Sequence, residues 1–537
     1  MRRWLGLVFA LAPVVGCSGA TAPPGGAPDA READLSEVTT IDRADALDDG
    51  EPSADTLRSD TSAMFDASFT DGPEVPPLDA PSDVAPEAPP AGPPDTAPET
   101  SFDAAQDPTS DPGPRPPDAP LDSSGELGPD ATADAPRDTA ADAARPPGTP
   151  AFPFGSHPHA FAAGSVTPSR STASMDGAVA ALYDRWKAAH LRQRCGAGRY
   201  LVDTTGETSG ATVSEAHGWG MLLVVWFAGH DFEARTIFDG MVRYYQDHPS
   251  AIDPALMAWT QARDCRSIEG SDSATDGDLD IAYALLLADR QWGSAGAMDY
   301  ASLARRILAA ILRREVHPSS RTLLVGDWAT TAEERDGTRL SDYMYDHLRA
   351  FHTFTADRTW DTVLSRSYEV TATLQRDFTA EGMGGRTGLL PDFAVGMNTL
   401  RPRPAPAGWL ETEHDGHYYW NACRTPWRIA TDFLLHGEPR AREAARTMTL
   451  WARRATADTP SRVATGYRLD GTRIASGAEL AFIAPFAAAA AVDVAFQPWL
   501  DALWTYLVET PFAGSGYYGN TIRLLVMLTV SRNIWAP

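Results

Sequence analysis

Twelve stretches of this chain repeat their apolar residues with a helical period, and several are separated by only two or three residues, which forces neighbouring helices to run antiparallel. The spacing predicts helices over 173–192, 214–229, 231–247, 277–291, 297–314, 341–355, 357–377, 425–436, 438–455, 477–491, 496–508 and 517–532. Connectors such as Gly229-His230-Asp231, Ala356-Asp357 and Gly437-Glu438 pair them into hairpins. Six hairpins around one axis would turn the more apolar helix of each pair inward and the amphipathic one outward. Longer irregular stretches at 193–213, 249–275, 315–340 and 378–424 hold much of the Gly, Pro and aromatic content. Where these loops meet inner helix starts they should rim a cleft.

Two helix starts carry acids. The segment from Ser273 to Trp292 is apolar on nearly every side yet begins with Asp276, Asp278 and Asp280. Helix capping through Thr275 or Asp276 explains an acid there, and so does chemistry. Glu215 follows Ser214, a good N-cap residue, and a first-turn glutamate is usually solvated. Gly218 and Gly220 follow, each costing about 1 kcal/mol against alanine inside a helix, so a sugar ring or a packed inner helix must approach closely.

These residues resemble a known family. Ser214-Glu215 with Gly218 to Met221, and Ala274-Thr275-Asp276-Gly277-Asp278 on to Trp292, are similar to the two signature blocks of glycoside hydrolase family 8. Leu256-Met257-Ala258-Trp259, Gly326-Asp327-Trp328, Ser341-Asp342-Tyr343-Met344, Gly388 to Phe393, Arg424-Thr425-Pro426-Trp427-Arg428 and Tyr517 to Thr521 follow in that family's order. The resemblance implies an all-α (α/α)6 barrel that hydrolyses β-1,4-linked polysaccharide with inversion. It puts Glu215 on the general acid, Asp276 on the sugar-contacting aspartate before the cleaved bond, and Asp278 on a supporting acid. An acid at a helix start tends to stay ionised, so the role requires Glu215 close to Asp276 and shielded by aromatics such as Trp219 or Trp259.

Many members of that family carry an aspartate base where this chain has Asn421, and an amide cannot act as a base. In subgroups with asparagine there, chitosanase and lichenase types among them, a loop glutamate substitutes. The 408–416 loop offers Glu411, Glu413 and Asp415, of which Glu411, directly after Trp409-Leu410, is the first choice. Trp259, Trp328, Tyr343, Trp409, Tyr418 and Tyr517 are candidate sugar platforms, and about half should face the cleft. Arg424 and Arg428 are candidates to hold catalytic carboxylates. The expected activity is endo-hydrolysis of chitosan or a β-glucan, an acid-lined cleft suiting a cationic polymer. The rivals are a glycan-binding barrel disabled at Asn421 and a structural role in a polysaccharide export system.

Upstream, Arg2 and Arg3 precede an apolar stretch that ends at Gly16-Cys17, which resembles a lipoprotein signal over 1–17 with Cys17 lipidated. Residues 18–150 carry 29 Asp plus Glu and 6 Arg, with almost no branched apolar or aromatic residue. Such a stretch reads as a disordered, self-repelling linker. It accounts for most of the formal charge of −27, leaving about −6 for the 151–537 barrel domain. The acidity argues against nucleic-acid partners. No ligand spacing or HExxH motif predicts a metal, and no cofactor is expected. A Cys195–Cys265 disulfide suits an exported chain, but an odd cysteine count leaves the pairing open. The expected protein is a monomer at the cell envelope, its partners a polysaccharide and, through the lipid alone, a membrane.

Overall fold

The computed structural model describes residues 149–537 except Ala380, Met383 and Gly384; the signal, Cys17 and the linker up to residue 148 lie outside the described residues. Helices alternate between an outer and an inner ring. In chain order they are α1 (Thr172–His190, outer), α2 (Ser214–Trp226, inner), α3 (Ala234–Asp247, outer), α4 (Thr275–Trp292, inner) and α5 (Tyr300–Arg314, outer). After the single turn α6 (Ala332–Arg335) come α7 (Tyr345–Thr355, inner), α8 (Thr359–Asp377, outer), α9 (Thr425–His436, inner) and α10 (Pro439–Thr456, outer). The last inner and outer elements are α11 (Leu480–Ile483) with α12 (Pro485–Ala490), then α13 (Gln497–Glu509, outer) and α14 (Gly516–Val530, inner). The stretch expected as one helix over 477–491 is broken at Pro485, whose ring nitrogen cannot donate to the preceding turn.

Inner helices are buried on nearly all sides; outer helices bury one stripe. Around the inner ring α2 packs on α4, α4 on α7, α7 on α9, α9 on α12 and α12 on α14. Trp219 of α2 and Tyr518 of α14, 5.6 Å between ring centroids, close the circle. This is the (α/α)6 barrel.

The contact between α2 and α4 is made through glycine. A Cβ on Gly218 would stand 2.7 Å from the Asp280 Cβ, and one on Gly277 would run into Ser214. A packed inner helix, not a sugar, is therefore what approaches Gly218; Gly220 faces Val202 and Met241 instead. The same contact corrects the capping expectations. Val213, not Ser214, is the N-cap of α2 and has no polar side-chain atom to make a cap bond, while Ser214 is turned against Gly277. The N-cap of α4 is Ala274, also without a side-chain bond. Thr275 instead donates its hydroxyl to the Leu324 carbonyl at 2.7 Å, and the Asp276 side chain takes one backbone amide of the first turn, that of the adjacent Gly277, at 2.9 Å.

Short strands dress the loops. β1 (Leu191–Gln193) pairs with β2 (Tyr200–Val202), β3 (Thr212–Val213) with β4 (Thr260–Gln261), and β6 (Glu381–Gly382) with β7 (Gly385–Arg386). β5 (Gly337–Arg339), β8 (Phe393–Val395) and β9 (Arg403–Pro404) make an antiparallel sheet in the order β5-β8-β9. A Cys195–Cys265 disulfide joins the β1–β2 hairpin to the loop before α4, and Cys423 is buried and free.

Residues 149–171 run under the barrel at the carboxyl ends of the inner helices. The Ala151 amide donates to Gln291, Phe154 to Ala228, Ala162 to Leu434 and Val166 to Ala491. Helix carboxyl ends leave carbonyls without partners, and this strap supplies amides at or beside four of them. Phe154 stacks on Phe227 at 4.7 Å, and Phe152 leans on Trp535 at 4.6 Å.

Candidate active site

Glu215 and Asp276 reach the mouth of the barrel from the first turns of two different inner helices. The β3–β4 pair ends directly in α2, with the Ser214 amide bonded to the Trp259 carbonyl at 2.8 Å, and this aims Glu215 from the first turn. Asp276 sits one residue inside α4, whose start is fastened to the 315–327 loop by the Thr275 bond and by Asp327 accepting from the Ser273 amide at 2.9 Å.

Arg424, buried in the one-turn 3-10 helix before α9, gathers these acids. Its Nη1 donates to Glu215 and, at 3.1 Å, to Asp276; its Nη2 donates to Ser341 Oγ at 2.7 Å and to Asn421 Oδ1 at 3.0 Å. Asn421 Nδ2 in turn donates to Glu411 Oε2 at 2.8 Å. A continuous path of hydrogen bonds thus runs from Glu215 through Arg424 and Asn421 to Glu411. Arg339 of β5 donates to Asp276 at 2.8 Å and adds a second cation; sequence reasoning missed it, since a lone arginine between loops carries no motif. The Arg424 guanidinium lies 5.9 Å from the Trp219 ring centroid.

The three loop acids are sorted by their surroundings. Glu413 is 81% exposed at its side chain and lies 3.6 Å from His414. Asp415 is wholly buried, with both carboxylate oxygens taken up by backbone amides of residues 410–412. Glu411 is half-buried beside Asn421. Burial raises its pKa; Arg339 and the Asn421 amide pull it down, while Asp415 and Asp276 push it up, and the balance stays above the ordinary glutamate range.

Several expected platforms lie elsewhere. Asp278 is wholly buried, accepting from the Met257 amide at 2.9 Å and bonded to Glu315, so it supports the loops from beneath and does not line the cleft. Burial raises both carboxyls of that pair well above their usual range, each further raised by charged neighbours. Tyr418 packs among Tyr467, Phe482 and Phe486 with no exposed surface, and Tyr343 and Tyr517 are 1% exposed. Aromatics at helix starts point where packing sends them, and these three point inward. Trp259, Trp328 and Trp409 keep partial exposure, as do Tyr419 and Trp420, which were not singled out from the sequence. Arg428 holds Asp280 in a two-pronged pair at 2.6 and 3.0 Å, below the site. Burial alone would raise Asp280, but Arg428 and His347 outweigh it. Among the described residues no group of three or more His, Cys, Asp and Glu is arranged to hold a metal ion.

Comparison with known proteins meets the geometry. The family model described as glycosyl hydrolases family 8 matches residues 166–532. A beta-glucanase of Niallia circulans is 44% identical over 387 residues, 72% of this chain and 92% of that protein. An endoglucanase of Bacillus sp. (strain KSM-330) is 35% identical, over 68% of this chain and 78% of its own length. The apo structure of a beta-1,3-1,4-glucanase from Paenibacillus sp. X4 superposes with a TM-score of 0.69 at 42% identity, covering 72% of this chain and all of that one.

Proposed function

The chain belongs to glycosyl hydrolases family 8 and is a glycoside hydrolase, and from that premise we propose that it cuts a β-glucan internally by an inverting acid–base mechanism. In this reading Glu215 protonates the leaving glycosidic oxygen. Glu411 removes a proton from a water that attacks the anomeric carbon from the opposite face, and Asp276 contacts the sugar ring before the cleaved bond. The observation that carries it is the hydrogen-bonded path Glu215–Arg424–Asn421–Glu411, which ties two carboxyl groups from distant parts of the chain into one framework. Asn421, whose amide suggested a disabled barrel, holds a carboxylate in place, and this favours catalysis over a glycan-binding role. The raised pKa of Glu411 suits a base that must be ionised yet basic at working pH.

A β-glucan, including the mixed-linkage type named in the Paenibacillus relative, is preferred to chitosan. Two guanidinium groups, Arg339 and Arg424, stand among the carboxylates, so the cleft attracts a polycation less than acids alone would. Export and lipid attachment at Cys17 belong to the same proposal, supported by the basic and apolar residues before that cysteine.

Reducing-end release from lichenan, carboxymethyl cellulose, xylan and soluble chitosan tests the substrate, with lichenan expected to be cut fastest; faster cleavage of chitosan would reverse the preference. NMR of the first product should show the α-anomer, and an initial β-anomer would end the inverting reading. Glu411→Gln should lose on the order of 100-fold or more in kcat, whereas Glu413→Gln should stay within about twofold.

A further inference from the structure

A base carried on an irregular loop needs something to hold it, because a displacement of about 1 Å can cost ~100-fold in rate. The loop before Asn421 is held from inside. Asp415 Oδ2 accepts from the backbone N–H of Leu410 at 2.7 Å and of Glu411 at 3.1 Å, and its Oδ1 accepts from Thr412 at 2.8 Å. Three successive amides, that of Glu411 in the middle, converge on one carboxylate. The Asp415 carbonyl accepts from the Phe393 amide at 2.8 Å, which pins this turn to the first residue of β8. Trp409 fixes the other end: its ring tilts against Phe393 at 5.5 Å and lies on Gly337 of β5, where any Cβ would collide with it.

We propose that Asp415 is a positioning residue for the reaction: by gathering the amides of Leu410, Glu411 and Thr412 it fixes the backbone that sets the Glu411 carboxylate against Asn421. The inference rests on Glu411 as the base and adds how the loop keeps it in place. Asp415 itself is wholly buried with both oxygens bonded to backbone amides, which removes it as a rival base. Its role is also electrostatic. The charged groups facing Glu411 are Arg339 from β5, Asp276 from α4, Asp392 from the residue before β8, and Asp415 from its own loop. Neutralising Asp415 removes one repulsive charge and leaves Arg339, so the acid limb of the rate profile moves to lower pH.

The test places Asp415→Asn beside Glu411→Gln on lichenan, with kcat, KM, the pH profile and thermal melting measured for each. Asp415→Asn should melt cooperatively, lose about tenfold or more in kcat with KM within about threefold, and shift its acid limb downward. A folded Asp415→Asn with parental kcat and acid limb, next to an inactive Glu411→Gln, overturns the positioning role and leaves the base assignment standing. Near-parental turnover in Glu411→Gln overturns both. Should Asp415→Asn fail to fold, hydrogen exchange in the parent protein decides: slow exchange at the amides of residues 410–412 supports the proposal, and exchange as fast as an open loop overturns it.

Discussion

The two ends of this barrel solve the chain-reversal problem in opposite ways. At the floor the inner helices hand over to outer ones in a few residues: Ala356 to Arg358 between α7 and α8, Gly437 and Glu438 between α9 and α10. At the mouth the return paths are mostly long, 191–213, 248–274, 315–344 and 378–424, and they carry every residue of the hydrogen-bonded path except Glu215, which opens α2. Tight connectors leave no room for a site, whereas long loops can bring residues 215, 276, 411 and 424 together. The floor thus stores stability and the mouth carries chemistry, and the division can be challenged by perturbing each end separately.

The largest effect expected is from Glu215→Gln. Loss of a general acid should lower reducing-end release by roughly 1,000-fold while the melting temperature moves little, since Arg424 keeps Asp276 as a partner. A variant that melts much earlier, or that keeps turning over, would break the division at the mouth.

A subtler probe lies just beneath the mouth, at the Asp278–Glu315 pair. Burial first, and then Asp278, raises the folded-state pKa of Glu315, so the folded protein holds a proton that the unfolded chain has already released above about pH 4.3. The stabilisation is fully present below that unfolded value and declines as pH rises towards the folded one. Within this window the slope is at most about 1.4 kcal/mol per pH unit. Glu315→Gln cannot lose the proton, so its melting temperature should gain on that of the parent from pH 5 to 8. Parallel curves would show that Glu315 holds no extra proton in the folded protein.

The smallest effect is assigned to the floor. Phe154→Ala removes a half-buried ring from Phe227 and should cost about 1–2 kcal/mol, seen as a lower melting temperature with kcat and KM unchanged at room temperature. A change in kcat there would show that the two ends are coupled.

The same contrast explains what could be read in the chain. All twelve helical stretches were legible because periodicity and Gly or Pro punctuation are local signals, while the break at Pro485 and the single turn α6 escaped. Glu215, Asp276 and Glu411 stood out as acids at helix starts or beside an aromatic-rich loop. The misplaced residues depend on tertiary direction. Ser214 has the chemistry of a cap but is turned against Gly277, and Tyr343, Tyr418 and Tyr517 fill the core behind the cleft. Asp278 reads like a neighbour of Asp276, yet two residues along a helix is about 200° around it, and it faces the loops instead. Arg339 was invisible because its partner lies 63 residues away.

The strap under the barrel has a mechanical consequence. The described chain begins beside the carboxyl ends of α2 and α4, on the far side from Glu215 and Glu411. Force applied at Thr149 therefore enters the barrel at its base. A load entering at Thr149 meets the aromatic stacks of Phe152 and Phe154 before it reaches any carboxylate, because the strap and the acids lie at opposite ends of the inner helices.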